Sequence, residues 1–188
     1  MKTFRQLVAS ERPLVLPGAH DAISARLIQR AGFKAYFIGG FPLVGARFGL
    51  PDIGLLALGE IGSGIRDIMA SCDLPVLVDC DNGYGDVKTV VHAINFYERL
   101  GAQAVFLEDQ VSPKRCGHIA GKRLLNPEQM EANIRAAAEN RVNSTPSSSR
   151  ERTRARSTGW TKRSAAASGM PAQARTHSSL RHRPALKK

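Results

Sequence analysis

The chain has 188 residues, 43% of them hydrophobic, with 27 Lys and Arg against 16 Asp and Glu, for a formal net charge of +11. That length suffices for one domain with a sizeable core, and without a secretory signal or a bilayer-spanning apolar run the expected location is the cytoplasm. Cys72, Cys80 and Cys116 are odd in number and form no C-x-x-C pair, which argues against a disulfide framework or a structural zinc site.

The positive charge invites a nucleic-acid reading, but it is concentrated at one end. Ser144 to Lys188 carries 11 basic residues and 1 acidic one, leaving 16 basic and 15 acidic for the rest. The same 45 residues hold only Leu180 and Leu186 from the set Leu, Ile, Val and Phe, whereas the first part is rich in them. Two differently composed segments, 1–143 and 144–188, meet near residue 143.

In chain order, Met1 to Ser10 has a mild helical pattern with Phe4, Leu7 and Val8 on one face. Leu14 to Pro17 predicts a short strand closed by Pro17-Gly18, and Asp21 is placed to cap a helix over Ala22 to Ala31 with Ile23, Leu27 and Ile28 at helical spacing. Ala35 to Ile38 predicts a buried strand running into Gly39-Gly40, and Phe41 to Leu58 a long glycine-rich loop containing G-L-P-D. A helix follows to about Ser71.

Val76 to Gly85, V-L-V-D-C-D-N-G-Y-G, is the pivotal stretch: a β-branched strand opening into a glycine-punctuated turn. Strand alternation projects Asp79 and Asp81 to one side, where two carboxylates repel unless a cation or a shared proton lies between them. Oxygen-only ligation suits Mg²⁺ or Mn²⁺; the plainer alternative is a solvated Asp-rich turn capping the next helix. Val87 to Leu100 then predicts a helix, Ala104 to Leu107 a strand ending in Glu108-Asp109, and Pro127 to Asn140 a helix with Pro in its first turn. Four strands alternating with helices predict a parallel α/β sheet with function at the strands' C-terminal ends, and four units are half of a (β/α)₈ barrel.

By Lys114 to His118, K-R-C-G-H, the chain resembles the isocitrate lyase and phosphoenolpyruvate mutase superfamily of (β/α)₈ barrels. The resemblance rests on G-L-P-D, V-D-C-D-N-G-Y-G, L-E-D-Q and K-R-C-G-H in register, from about Leu14 to Arg141. It implies that Asp79, Asp81 and Glu108 hold Mg²⁺ directly or through water, that Asp52 lies beside the metal, and that the amides of Gly39 and Gly40 hold a substrate carboxylate. Many relatives have serine at the position of Gly39, and the bulky Phe41-Pro42 that follows bears on which substrate fits. K-R-C-G-H implies the lyase branch, in which Cys116 protonates the carbanion left by C–C cleavage; Lys114, Arg115 and His118 supply positive charge that favours a thiolate. The bland alternatives are a capping role for Glu108 and an inert loop cysteine for Cys116.

The implied activity is cleavage of a 2-hydroxy di- or tricarboxylate, methylisocitrate- or dimethylmalate-like, to a 2-oxo acid and a carboxylate. Phosphonate mutase chemistry and oxaloacetate decarboxylation are the alternatives. The intact family implies a homo-oligomer, and an open half-barrel edge along Ala104 to Leu107 predicts association.

Beyond Asn143 the resemblance stops. Reading each codon one base earlier, the single codons of Trp160 and Met170 force aspartate opposite Thr161 and alanine opposite Pro171, and permitted wobble choices restore A-R-T-D and F-V-E-A-P motifs. Ser144 to Lys188 is therefore expected to be a disordered, out-of-frame segment, and the 188-residue chain to be nearly inactive. The competing expectation is a basic arm that binds nucleic acid.

Overall fold

The computed structural model describes residues 1–142. The domain junction at residue 143 and the expected disorder, frame and nucleic-acid binding of 144–188 lie outside the described residues.

Helix α1 (Phe4–Ser10) begins where Thr3 accepts from the Gln6 amide and Gln6 answers through its side chain, a reciprocal cap that fixes the start three residues later than the apolar pattern alone implies. Strand β1 is Gly18–Ala19. The expected strand over Leu14 to Pro17 is displaced C-terminally, and Pro17, which has no N–H to donate, meets β2 only as an acceptor. Leu14 and Leu16 pack with α1, while the Pro17 carbonyl accepts from Phe37 N.

Helix α2 (Ala22–Arg30) is capped by Asp21 with Ser24. Its apolar spacing only partly coincides with burial: Ala25 and Ile28 face the core, whereas Ile23 and Leu27 are 70% and 58% exposed. Strand β2 (Tyr36–Ile38) is followed by helix α3 (Gly40–Phe48), which replaces most of the expected loop. The glycines that read as loop punctuation stand at the helix ends, Gly39 as N-cap and Gly49 as a left-handed C-cap at φ 64°, and Pro42 lies in the first turn, where a missing N–H costs no intrahelical bond.

Helix α4 (Leu58–Met69), strand β3 (Val76–Asp79), helix α5 (Val87–Leu100), strand β4 (Ala104–Phe106) and helix α6 (Pro127–Glu139) follow the expected pattern. The four strands are parallel in the order β1-β2-β3-β4. Consecutive order without reversal is how a barrel winds, whereas a doubly wound sheet turns back on itself.

Register places Phe37, Leu77 and Ala104 in one row and Ile38, Val78 and Val105 in the next, so the two rows face opposite sides. The second side packs on helices, with Ile38, Val78 and Val105 against Ile61 and Ile65 of α4, Val90, Ile94 and Tyr97 of α5 and Met130 of α6. The first side packs Leu77 and Ala104 with Phe4, Leu7, Leu14 and Leu16. By the same alternation Asp79 ends β3 on this first, inner side, above that plug.

Candidate active site

Strands β2, β3 and β4 lead into the site residues at or after their C-terminal ends. Asp79 closes β3, and the chain turns at once through Asp81 at φ 49°, a left-handed backbone that is uncommon outside glycine. The turn is held by two ties: Asp81 N donates to Asp79 Oδ1 at 3.0 Å, and Glu108 N donates to the Asp81 carbonyl at 2.6 Å. After β2, Gly40 N donates to Asp79 Oδ2 at 3.2 Å. That amide therefore orients a carboxylate of the chain itself, rather than standing free for a substrate carboxylate. Any Cβ at Gly40 would lie 3.3 Å from Asp81 Oδ1, 3.6 Å from Asp79 Oδ2 and 3.9 Å from Asp52 Oδ1, so glycine is what lets α3 begin among three acids.

Lys114 completes the cluster. Its Nζ is 2.6 Å from Asp52 Oδ1 and also contacts Asp81 Oδ1. Asp52, Asp79, Asp81, Glu108 and Lys114 are all buried, so when every group is ionised the cluster holds an excess of three negative charges. Burial, then the charge of Asp79, pushes the Asp81 carboxyl up to about 6 in spite of Lys114. Burial and then Glu108 raise Asp79, against the Gly40 amide and Lys114. For Lys114, burial works against the ammonium, but the charge of Asp81 and the hydrogen bonds to Asp52 and Asp81 outweigh it and hold the lysine protonated. One ammonium among several acids explains why it is stabilised while its partner Asp81 is not.

The K-R-C-G-H segment is tied to β4 through a residue whose role sequence reasoning missed. Gln110 Nε2 donates to Glu108 Oε2 at 2.7 Å and to the Arg115 carbonyl at 2.8 Å, and its Oε1 accepts from Arg115 N at 3.0 Å. The available signal was its place in L-E-D-Q, two residues beyond Glu108. Asn82, whose Nδ2 donates to Ser112 Oγ at 2.9 Å, was likewise missed within V-D-C-D-N-G-Y-G. Cys116 is buried in this segment. The cations expected around its thiol are engaged elsewhere: Lys114 with the carboxylates, and Arg115 Nη1 with the Ala120 carbonyl at 3.0 Å. His118 meets the Phe41 ring edge-on at 5.5 Å, which brings the K-R-C-G-H segment to the start of α3. The structure thus joins Gly40, Asp52, Asp79, Asp81, Glu108 and Lys114 in one cluster, with Gly39, Phe41, Cys116 and His118 on the adjoining segments.

A profile of the phosphoenolpyruvate phosphomutase family matches residues 4–146. The chain belongs to this family. Among its relatives, 2,3-dimethylmalate lyase of Eubacterium barkeri is 38% identical over 140 residues, covering 74% of this chain and 48% of that protein. A 2-methylisocitrate lyase of Halalkalibacterium halodurans is 41% identical over 133 residues, covering 71% and 44%. A solved phosphonopyruvate hydrolase in complex with oxalate and Mg²⁺ superposes with a TM-score of 0.63 at 27% identity, covering 76% of this chain and 50% of that one. The chain therefore spans about half the length of the relatives it matches, and the parallel α/β sheet is the part of the family fold that those residues build. Among the described residues no helix is long and apolar enough to cross a membrane.

The residues present fit a divalent cation by chemistry: an all-oxygen, buried, over-negative cluster beside a cleft lined by Asp52, Gly54, Leu56 and Asp81. Among the described residues no three His, Cys, Asp or Glu side chains converge as a ready-made ligand set, and Lys114 stands between Asp52 and Asp81.

Proposed function

We propose that residues 1–142 are the metal- and thiol-bearing half of a carbon–carbon lyase site that cleaves a 2-hydroxy di- or tricarboxylate to a 2-oxo acid and a carboxylate. The observation that supports it most is the joining of the buried acid cluster to the K-R-C-G-H segment through Gln110. Mg²⁺ held by Asp79, Asp81 and Glu108 would polarise the oxygens of the substrate that become the 2-oxo acid. Gly40 orients Asp79, and Asp52 shares Lys114 with Asp81. Cys116 is the proton donor to the enolate carbon, and its burial keeps water from competing for that proton. His118 and Phe41 border the substrate position. A proton-donating cysteine at this point favours the lyase reading over phosphonate mutase chemistry. Cytoplasmic location and assembly into a homo-oligomer belong to the same proposal.

The matched residues span about half the length of these lyases, so the test supplies the other half. The test is a chimera of residues 1–142 with the C-terminal half of the Eubacterium barkeri lyase, assayed for 2-oxo acid release with and without EDTA. Activity that EDTA abolishes and Cys116→Ala reduces by about a hundredfold or more is expected; full activity of Cys116→Ala would overturn the acid assignment.

A further inference from the structure

The K-R-C-G-H segment is the tip of a loop that returns on itself. Val111 N donates to the Arg123 carbonyl and Leu125 N to the Asp109 carbonyl, both at 2.9 Å, so 109–111 and 123–125 run side by side as a stem. Gln110 fixes the near side of the tip by clasping the Arg115 backbone. The far side is held by a residue outside every motif. Lys122 Nζ donates to the Gly117 carbonyl at 3.0 Å and to the Ile119 carbonyl at 2.6 Å, and Ile119 N donates to the Cys116 carbonyl at 3.1 Å to close the turn. Arg115 takes the Ala120 carbonyl, with its guanidinium where a Cβ on Gly121 would come within 2.5 Å of Nη1. Two cations and one amide thus engage four carbonyls between Cys116 and Ala120.

Ile119 at the tip and Leu124 in the stem are about half exposed, so apolar burial does little to hold this loop in shape. Hydrogen bonds must do so. A bond donated by an ammonium is roughly twice as strong as a neutral one, and one ammonium on two carbonyls fixes two peptide planes at once. Here those planes flank His118 and Ile119, immediately beyond the buried Cys116. Resting on the reading of Cys116 as the proton donor proposed above, we infer that Lys122 is a positioning residue for that donor: by drawing in the carbonyls of Gly117 and Ile119, it holds the Cys116–Ile119 turn in the shape that keeps the thiol buried beside the acid cluster.

The test uses the 188-residue chain and the rate at which an aromatic disulfide labels Cys116, in wild type, Lys122→Met and Lys122→Arg. The same variants on a Cys116→Ser background report the rates of the buried Cys72 and Cys80. Losing the two charge-assisted bonds should speed Cys116 labelling by about tenfold in Lys122→Met and leave Cys72 and Cys80 unchanged. Lys122→Arg, which keeps a cationic donor, should stay near wild type. An unchanged Cys116 rate in Lys122→Met, or an equal acceleration of all three thiols, overturns the inference, the second because it marks a general loosening of the fold. Should Lys122→Met fail to fold, wild type decides: the Lys122 ammonium should react with an amine-acylating reagent about tenfold more slowly than the exposed Lys88, and equal rates overturn the inference. None of these readouts depends on metal or turnover, so failure of the lyase reading, seen in the Cys116→Ala chimera, is told apart from failure of the clamp.

Discussion

Two regions of this molecule bury carboxylates, and they do so on opposite terms. Glu98, on α5, is 2% exposed and has dedicated partners: Oε1 pairs with Arg141 Nε at 2.5 Å and Oε2 accepts from Val142 N at 3.0 Å. At the strand ends, Asp52, Asp79, Asp81 and Glu108 are buried close together, and the buried Lys114 pairs with two of them, Asp52 and Asp81. The first arrangement pins the chain after α6 to α5. The second keeps charge in excess, which no purely structural role requires and which a cation would offset.

The sharpest way to break this comparison is to remove one partner from each region. Arg141→Met removes the guanidinium that faces the buried Glu98, and it should destabilise the fold by about 3 kcal/mol in denaturant unfolding. Asp81→Asn should do the reverse in the presence of a chelator, because the isosteric amide keeps an oxygen for Lys114 and relieves the repulsion from Asp79; a gain of about 1 kcal/mol is expected. Should Asp81→Asn cost as much as Arg141→Met, the two regions would not differ as described.

A pH series sharpens the same contrast. The Asp81 carboxyl titrates at about 6 in the folded chain, above its unfolded value, so between those values the native state binds more protons than the unfolded state. Stability in chelator should therefore fall as pH rises from about 4 toward 6, and the raised Asp79 carboxyl adds to the fall with the same sign. Thermal unfolding across that window checks the sign, and Asp81→Asn should flatten the slope.

The smallest effect is expected at Gly39. A serine there could cap α3, which has no side-chain cap, but its Cβ would lie 3.0 Å from Phe37 Cε1 and 3.2 Å from Pro42 Cδ. Over glycine the cap is worth only a few tenths of a kcal/mol and the crowding opposes it, so Gly39→Ser should change stability by less than about 0.5 kcal/mol.

What the sequence made legible is what local rules govern. Val76 to Asp79 reads as a strand because β-branched residues run into a glycine turn, whereas Asp81 joins Asp79 through a left-handed turn at φ 49° that strand alternation does not describe. Helix α3 was hidden because Gly39, Gly40 and Gly49 look like loop residues until their places at the caps and first turn are seen. The exposure of Ile23 and Leu27 was equally hidden, since helical spacing marks a face without saying which face the sheet takes. Least legible was Lys114: it lies 33 residues from Asp81, and only the return of β4 beside β3 brings them together. Sequence reasoning set its charge beside the Cys116 thiol, whereas the fold delivers it to the acids. Gln110 falls between these cases, visible in L-E-D-Q but given a role only by its bonds to Glu108 and Arg115.

The central claim is that the excess negative charge at the strand ends is there to hold a divalent cation. Thermal unfolding of the 188-residue chain against rising Mg²⁺, alongside Asp81→Asn, tests it most directly. The claim predicts a melting temperature that climbs with Mg²⁺ in wild type, by the equivalent of about 2.7 kcal/mol at a hundred times the dissociation constant, and stays flat in Asp81→Asn. A wild-type curve that does not move with Mg²⁺, or one that moves equally in both chains, would contradict it.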